Sequence, residues 1–257
     1  LFFVQTNSLE SNNSEKIKNL IRNQKIGGLI FSKGTPNNQI LLTKSFQKIS
    51  EVPLLISMDA EWGLSMRLDS VPKFPWNMSL GSISNNNLIE KVGKTIGEQC
   101  NAVGIHLNFS PVVDINTNPK NPIIGNRSFG ESKENVSNKA ISYMNGLQSQ
   151  NILSTAKHFP GHGDTSKDSH KTLPIIKHKR KRILKTELYP YKKLIENGLP
   201  AIMVAHLEVP SLEKEKNLPS SLSKSIVKIL KKNLKFKGLI ITDALNMSGA
   251  ANYNKNN

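Results

Sequence analysis

Lys237-Gly238-Leu239-Ile240-Ile241-Thr242-Asp243-Ala244-Leu245-Asn246-Met247 is a strand-length apolar run closed by a carboxylate. A run this short, apolar throughout and then abruptly charged, describes a strand buried on both faces whose C-terminal end meets solvent or a ligand. The same figure recurs along the chain. Asp59 follows Leu54–Met58, Asp114 follows His106–Val113, Lys157-His158 follow Leu153–Ala156, and His206 follows Ala201–Ala205. With Leu1–Val4, Gly28–Phe31 and Leu239–Thr242 this makes seven expected strands. Helical patterns fill the intervals at Ser14–Asn23, Asn38–Ile49, Asn87–Val103, Lys133–Gln150, Lys181–Glu196 and Lys224–Leu234, with Ser14 and Ser223 as N-caps.

Strands alternating with helices predict an α/β fold with a parallel sheet. A doubly wound sheet collects its ligand groups at one switch point, whereas a (β/α)8 barrel collects them from many strand ends around a ring. Polar residues after five different strands predict the TIM-type barrel. An eighth strand has no counterpart, because the chain passes after Asp243 into the polar tail Asn252–Asn257. The expectation is therefore one domain over residues 1–257, a barrel truncated before its eighth βα unit. The chain opens at Leu1 inside the apolar run Leu1-Phe2-Phe3-Val4, without Met, which points to further residues upstream.

The formal net charge is +16, from 35 Lys and Arg against 19 Asp and Glu, and so raises nucleic acid as a partner. The charge is scattered. Its densest run, Lys177-His178-Lys179-Arg180-Lys181-Arg182, lacks the interleaved aromatics that stack on single strands, and no nucleic-acid partner is expected. No apolar run approaches the roughly 18 residues a membrane helix needs, so no membrane span is expected. Cys100 is the single cysteine, in the helical run Leu88–Val103, and excludes an intrachain disulfide without fixing the compartment.

The densest chemistry lies in Lys157-His158-Phe159-Pro160-Gly161-His162-Gly163-Asp164-Thr165-Ser166-Lys167-Asp168-Ser169-His170, which brings three histidines and two carboxylates together around two glycines. A packed core has no use for so many ionisable groups. Asp168 and His170 stand two apart. A carboxylate bonded to one imidazole nitrogen fixes the tautomer and raises the basicity of the other, which makes a proton shuttle near neutral pH. Either that or a solvated loop histidine fits the local pattern. His158, His162, Asp164 and His170 also offer metal donors, but they match no closed zinc spacing and Lys157 would oppose a dication, so no metal is expected.

Asp243, at the end of its strand, is directed at a ligand or caps the turn from Ala244. Arg127, between Gly125 and Gly130, offers a fork of donors suited to sugar hydroxyls or a carboxylate. Asp59 and Arg67 bracket Ala60-Glu61-Trp62-Gly63, either as ligand groups or as a loop-holding ion pair, and Trp62 either stacks on a sugar or covers the barrel end.

On these motifs the chain resembles the catalytic barrel of glycoside hydrolase family 3, in particular its β-N-acetylhexosaminidase branch. The resemblance runs from about Leu1 to Ala251 and is carried by Lys157–Gly163 with Asp168-Ser169-His170 behind it, supported by Asp59-Ala60-Glu61, Gly125–Gly130 and Thr242-Asp243. It implies a retaining double displacement with Asp243 as nucleophile. It further implies His170, backed by Asp168, as acid/base, and Asp59, Arg67, Arg127, Lys157 and His158 as ligands of the sugar hydroxyls. His206 is a weaker candidate. No organic cofactor is implied. The substrate class would be a terminal β-linked N-acetylhexosamine of peptidoglycan-derived or related amino-sugar glycans. The β-glucosidases and β-xylosidases of the same family usually lack the Asp-Ser-His loop, and a sugar-binding fragment without turnover is the alternative outside enzymes. Ala60-Glu61-Trp62-Gly63 departs from the Gln-Glu-Gly-Gly of cytoplasmic muropeptide-recycling members and is closer to longer, exported relatives carrying a further C-terminal domain. The compartment stays open between bacterial cytoplasm and the periplasm or exterior.

Overall fold

Each strand of the chain pairs in parallel with its neighbour in sequence, in the order β1-β2-β3-β4-β5-β6-β7. The strands are β1 (Phe3–Thr6), β2 (Gly28–Phe31), β3 (Leu55–Met58), β4 (Leu107–Asn108), β5 (Leu153–Phe159), β6 (Ala201–Val204) and β7 (Leu239–Thr242). The helices are α1 (Ser11–Gln24), α2 (Pro36–Ile49), α3 (Asn77–Gly81), α4 (Asn86–Ala102), α5 (Lys133–Gln148), α6 (Arg180–Lys185), α7 (Tyr189–Glu196), α8 (Lys224–Lys228) and α9 (Ser248–Lys255). This computed structural model describes residues 2–9, 11–166 and 172–255. A doubly wound sheet reverses its direction of strand addition partway, whereas here each βα unit adds its strand on the same side as the last. That is the order of seven consecutive strands of a (β/α)8 barrel.

The chain divides into two compact units. The first comprises Leu1–Pro75, Glu90–Ser110 and Tyr143–Ser154. Its strands bury Leu29, Phe31, Ile56, Met58 and Leu107. α2 turns Gln39, Thr43 and Phe46 inward at helical spacing, and its start is set by Thr35, whose side chain accepts from the Asn38 N–H, with Pro36 next in line. α4 packs closely on the end of α5. A Cβ on Gly93 would stand 2.3 Å from Tyr143 O, and one on Gly146 would stand 2.2 Å from Glu90 O, so only glycine admits this approach. Cys100 is buried here, and burial pushes its thiol pKa up to about 12.

The second unit comprises Trp76–Ile89, Pro111–Ser142 and Thr155–Asn257. β5, β6 and β7 run through it side by side, with Ala156 level with Ile202 and Ile202 level with Ile240. Phe159 packs edge-on against Tyr191 at 5.0 Å between ring centroids, and Leu194, Ile202, Val204 and Ile226 of the same unit are buried. Ser223 caps α8, its hydroxyl accepting from the Ile226 N–H at 3.1 Å, as its place before an apolar-periodic run predicts.

Several expected boundaries move. The strand over His106–Val113 is formed only at Leu107–Asn108 and resumes as the bridge Val112↔Lys157, because Pro111 has no N–H to continue the ladder. The helix over Lys181–Glu196 is broken into α6 and α7, since Pro190 cannot donate back to Thr186. The helix over Lys224–Leu234 widens into a π-helical turn at Ile229–Asn233. Ser14 lies inside α1 and is not its cap, and part of the polar tail belongs to α9. Among the described residues no helix is long and apolar enough to cross a membrane.

Candidate active site

In β5 the register slips: Ala156 is level with Ile202 and Phe159 with Val204, so three steps along β5 match two along β6. The extra residue falls at Lys157-His158. A bulge of this kind re-aims side chains that would otherwise alternate across the sheet. Lys157 is 2% exposed and His158 6%. The Lys157-His158 and Phe159-Pro160 peptide bonds are cis.

Asp114 organises the segment. It is fully buried after the bridge at Val112, and its carboxylate accepts from three donors: His158 Nδ1 at 2.7 Å, the His158 N–H at 3.2 Å and the His162 N–H at 2.6 Å. Burial alone would raise the Asp114 pKa, but the charges and hydrogen bonds of His158 and His162 outweigh it and hold the carboxyl below its ordinary range. On the other side of the ring, Arg127 Nη2 lies 3.2 Å from His158 Nε2, and Arg127 Nη1 donates to Ile123 O at 3.2 Å. A guanidinium only donates, so Nε2 accepts and Nδ1 carries the proton given to Asp114. Asp114, His158 and Arg127 thus form one line of donors and acceptors.

His162 is 1% exposed, and its Nδ1 lies 2.7 Å from Thr165 Oγ1. Burial lowers its pKa to about 4, against a partial opposing pull from Asp114. Asn121 ties the turn together, donating to His162 O at 2.8 Å and accepting from the Ile123 and Ile124 N–H groups at 2.9 Å each. Asp164 turns one oxygen to His178 Nε2 at 2.5 Å and accepts from Thr117 Oγ1 with the other at 3.1 Å. Both ring nitrogens of His158 and both oxygens of Asp164 therefore face protein partners, and among the described residues no group of three or more His, Cys, Asp or Glu side chains is arranged to hold a metal.

Asp243 directly follows β7, and its N–H continues the ladder to Val204 O at 2.9 Å. One carboxylate oxygen, Oδ1, accepts from the Ala244 N–H at 2.8 Å, and Oδ2 has no hydrogen-bond partner among the described residues. Asp243 is not the cap of α9, which begins only at Ser248. Thr242 is level with Val204 and Val204 with Phe159. Two strand spacings of about 4.8 Å then put the ends of β5 and β7 about 10 Å apart at the same edge. His206, two residues past β6, is fully buried, and its Nε2 lies 2.9 Å from Ala244 O, just past Asp243.

In the first unit, Arg67 Nη2 and Asp59 Oδ2 form an ion pair at 2.6 Å, the pairing their spacing suggested. His170 and Asp168 lie outside the described residues. Sequence reasoning noted Asp114 as a strand-end carboxylate yet gave it no role; its one signal was that it closes an apolar run as Asp59 and Asp243 do. The Asp164–His178 pair had no such signal, since its partners stand far apart in sequence.

Residues 3–257 match the model of the glycosyl hydrolase family 3 N-terminal domain. Beta-hexosaminidase A of Pseudoalteromonas piscicida is 34% identical over 93% of this chain and 44% of its own length. Beta-hexosaminidase of Nitrosomonas eutropha is 33% identical over 89% of this chain and 68% of its own. A solved glycoside hydrolase family 3 beta-N-acetylglucosaminidase from Paenibacillus sp. FPU-7 superposes with a TM-score of 0.91 at 37% identity, covering 98% of this chain and 49% of that one. The chain thus spans about half the length of the first relative and of the solved structure.

Proposed function

The chain belongs to the glycosyl hydrolase family 3 N-terminal domain family, and from that premise we propose that its protein is a retaining exo-β-N-acetylglucosaminidase. The substrate is a terminal β-linked N-acetylhexosamine, with peptidoglycan-derived and related amino-sugar glycans as the natural class. What carries the reading is the pairing of Asp243, with Oδ2 open at the end of β7, and the Lys157-His158 bulge at the end of β5, on the same edge of one unit.

In the first step Oδ2 of Asp243 attacks the anomeric carbon as the glycosidic bond breaks, and the leaving oxygen takes a proton from His170, backed by Asp168. In the second, His170 takes a proton from water, the water oxygen bonds to the anomeric carbon, and Asp243 is released. Arg127 and Lys157 hold hydroxyls of the sugar, and His158, with Nδ1 on Asp114 and Nε2 facing Arg127, orients that guanidinium for them. Asp59 and Arg67 enter the proposal on their motif alone.

On an aryl β-N-acetylglucosaminide, Asp243→Ala is expected to lower kcat at least about 1,000-fold. His170→Gln is expected to hurt most with poor leaving groups, which need the proton. Wild-type turnover by the Asp243 variant overturns the assignment, and a preference for the aryl β-glucoside moves it to the β-glucosidase reading.

A further inference from the structure

We propose that His206 is a positioning residue for Asp243, acting through the peptide that follows it. The inference rests on the reading of Asp243 as nucleophile.

His206 Nε2 lies 2.9 Å from Ala244 O and His206 Nδ1 lies 2.6 Å from Ser221 Oγ. A carbonyl oxygen only accepts, so Nε2 carries a proton and donates it to Ala244; in the neutral ring Nδ1 then accepts from the Ser221 hydroxyl. The ring is fully buried and both nitrogens are engaged, so its work is done inside the protein. It does not face the sugar.

Its anchorage is stiff on both sides. Ser220 Oγ donates to Ala205 O at 2.6 Å and accepts from the Leu207 N–H at 3.1 Å, clamping the two residues that flank His206. The next residue, Ser221, holds the ring, and Ser223 two further on caps α8. The loop before α8 therefore fixes the imidazole, and the imidazole fixes Ala244.

Ala244 is the pivot of the nucleophile. Its N–H is given to Asp243 Oδ1 at 2.8 Å and its carbonyl takes the proton of His206, so the peptide groups on both sides of its Cα are bonded. Ala244 O also accepts from the Met247 N–H at 3.0 Å, a bond within the same turn, so His206 is the side chain that ties this turn to the β6 end. With the His206 bond gone, the turn can shift as a body and carry with it the Ala244 N–H that sets the carboxylate direction. Ala244 is itself exposed, so no packing would hold it in place. Displacing a reacting group by about 1 Å costs on the order of 100-fold in rate while leaving ground-state binding largely alone.

The test uses the full-length protein with His206→Asn, His206→Gln, Ser221→Ala and Asp243→Ala, measuring kcat on an aryl β-N-acetylglucosaminide and the Kd of N-acetylglucosamine by calorimetry. His206→Asn, which has no donor at the Nε2 position, is expected to lose about 30-fold or more in kcat with Kd within about 3-fold. His206→Gln, whose amide nitrogen reaches the place of Nε2, is expected to recover about 10-fold of that loss, and Ser221→Ala to lose about 3-fold to 10-fold, again without a change in Kd. The proposal is overturned by wild-type kcat in His206→Asn, by a Kd weakened in step with kcat, or by a Gln variant no better than Asn. Should the Asn variant not fold, the Gln and Ser221 variants decide by the same readouts. Wild-type turnover in Asp243→Ala sinks the nucleophile assignment itself, whereas an inactive Asp243→Ala beside a fully active His206→Asn sinks this inference alone.

Discussion

Asp114 Oδ2 lies 2.7 Å from His158 Nδ1, and the same carboxylate also accepts the His162 N–H at 2.6 Å, so one buried charge orients a side chain and pins the backbone four residues further on. Removing the charge strands three donors in a dry interior. Asp114→Ala is expected to cost about 3 kcal/mol or more of stability, as for other broken buried pairs, and to lower kcat/KM through a freed His158. Urea unfolding of the variant checks it; a midpoint equal to wild type would show that the donors find other partners.

The pH dependence of stability follows from His162. Its pKa lies near 6.5 in the unfolded chain and about 4 in the fold, so between those values the unfolded state binds more protons than the native one. Stability therefore rises with pH across this window and is lost as pH falls from about 6.5 to about 4, by about 3 kcal/mol in all. The depressed Asp114 pKa acts in the same direction at lower pH. Urea midpoints from pH 7 to pH 4 measure the slope, and His162→Gln should flatten it. An equal slope in that variant would assign the effect to other groups.

Gly163 is held by contact and not by conformation. A Cβ there would stand 1.8 Å from Ile115 O, a backbone atom that cannot swing aside. Gly163→Ala is expected to cost about 2 kcal/mol or more and to reduce turnover, since the loops holding Asp114 and His162 must part to admit the methyl. A wild-type unfolding midpoint for Gly163→Ala would contradict this packing.

Cys100 is expected to resist alkylation in the native state. With its pKa pushed up to about 12 by burial, on the order of one thiol in 100,000 is ionised at pH 7. Iodoacetamide labelling followed by mass spectrometry should show modification only in denaturant. Rapid labelling of the native protein would place the thiol at the surface.

The strands were legible because each is a short apolar run closed by a polar residue, and β2 and β7 keep their expected limits, Gly28–Phe31 and Leu239–Thr242. Where proline removes a donor, apolarity alone extends an element too far: Pro111 cuts the fourth strand and Pro190 divides a helix, and both effects depend on a single missing N–H. The candidate site was legible in its residue types but not in its pairings. Lys157-His158 and Asp243 stand where strand ends predict, while the partner of His158 is 44 residues away in sequence, at Asp114, and only folding brings the two together. Asp59 and Arg67, eight apart on one loop, were near enough for their ion pair to stand as one of two alternatives, and the structure forms it. For His206 the sequence suggested a place near the ligand, and the structure turns both its nitrogens inward.

The seating of Gly163 against Ile115 O, together with the Val112↔Lys157 bridge and the Asn121 bond to His162 O, makes residues 112–121 and 157–165 a single folded piece. Protein engineers who wish to swap this region between enzymes should move both segments as a matched cassette; a chimera that takes one from each parent would set unlike backbones against each other where there is no room for even a methyl group.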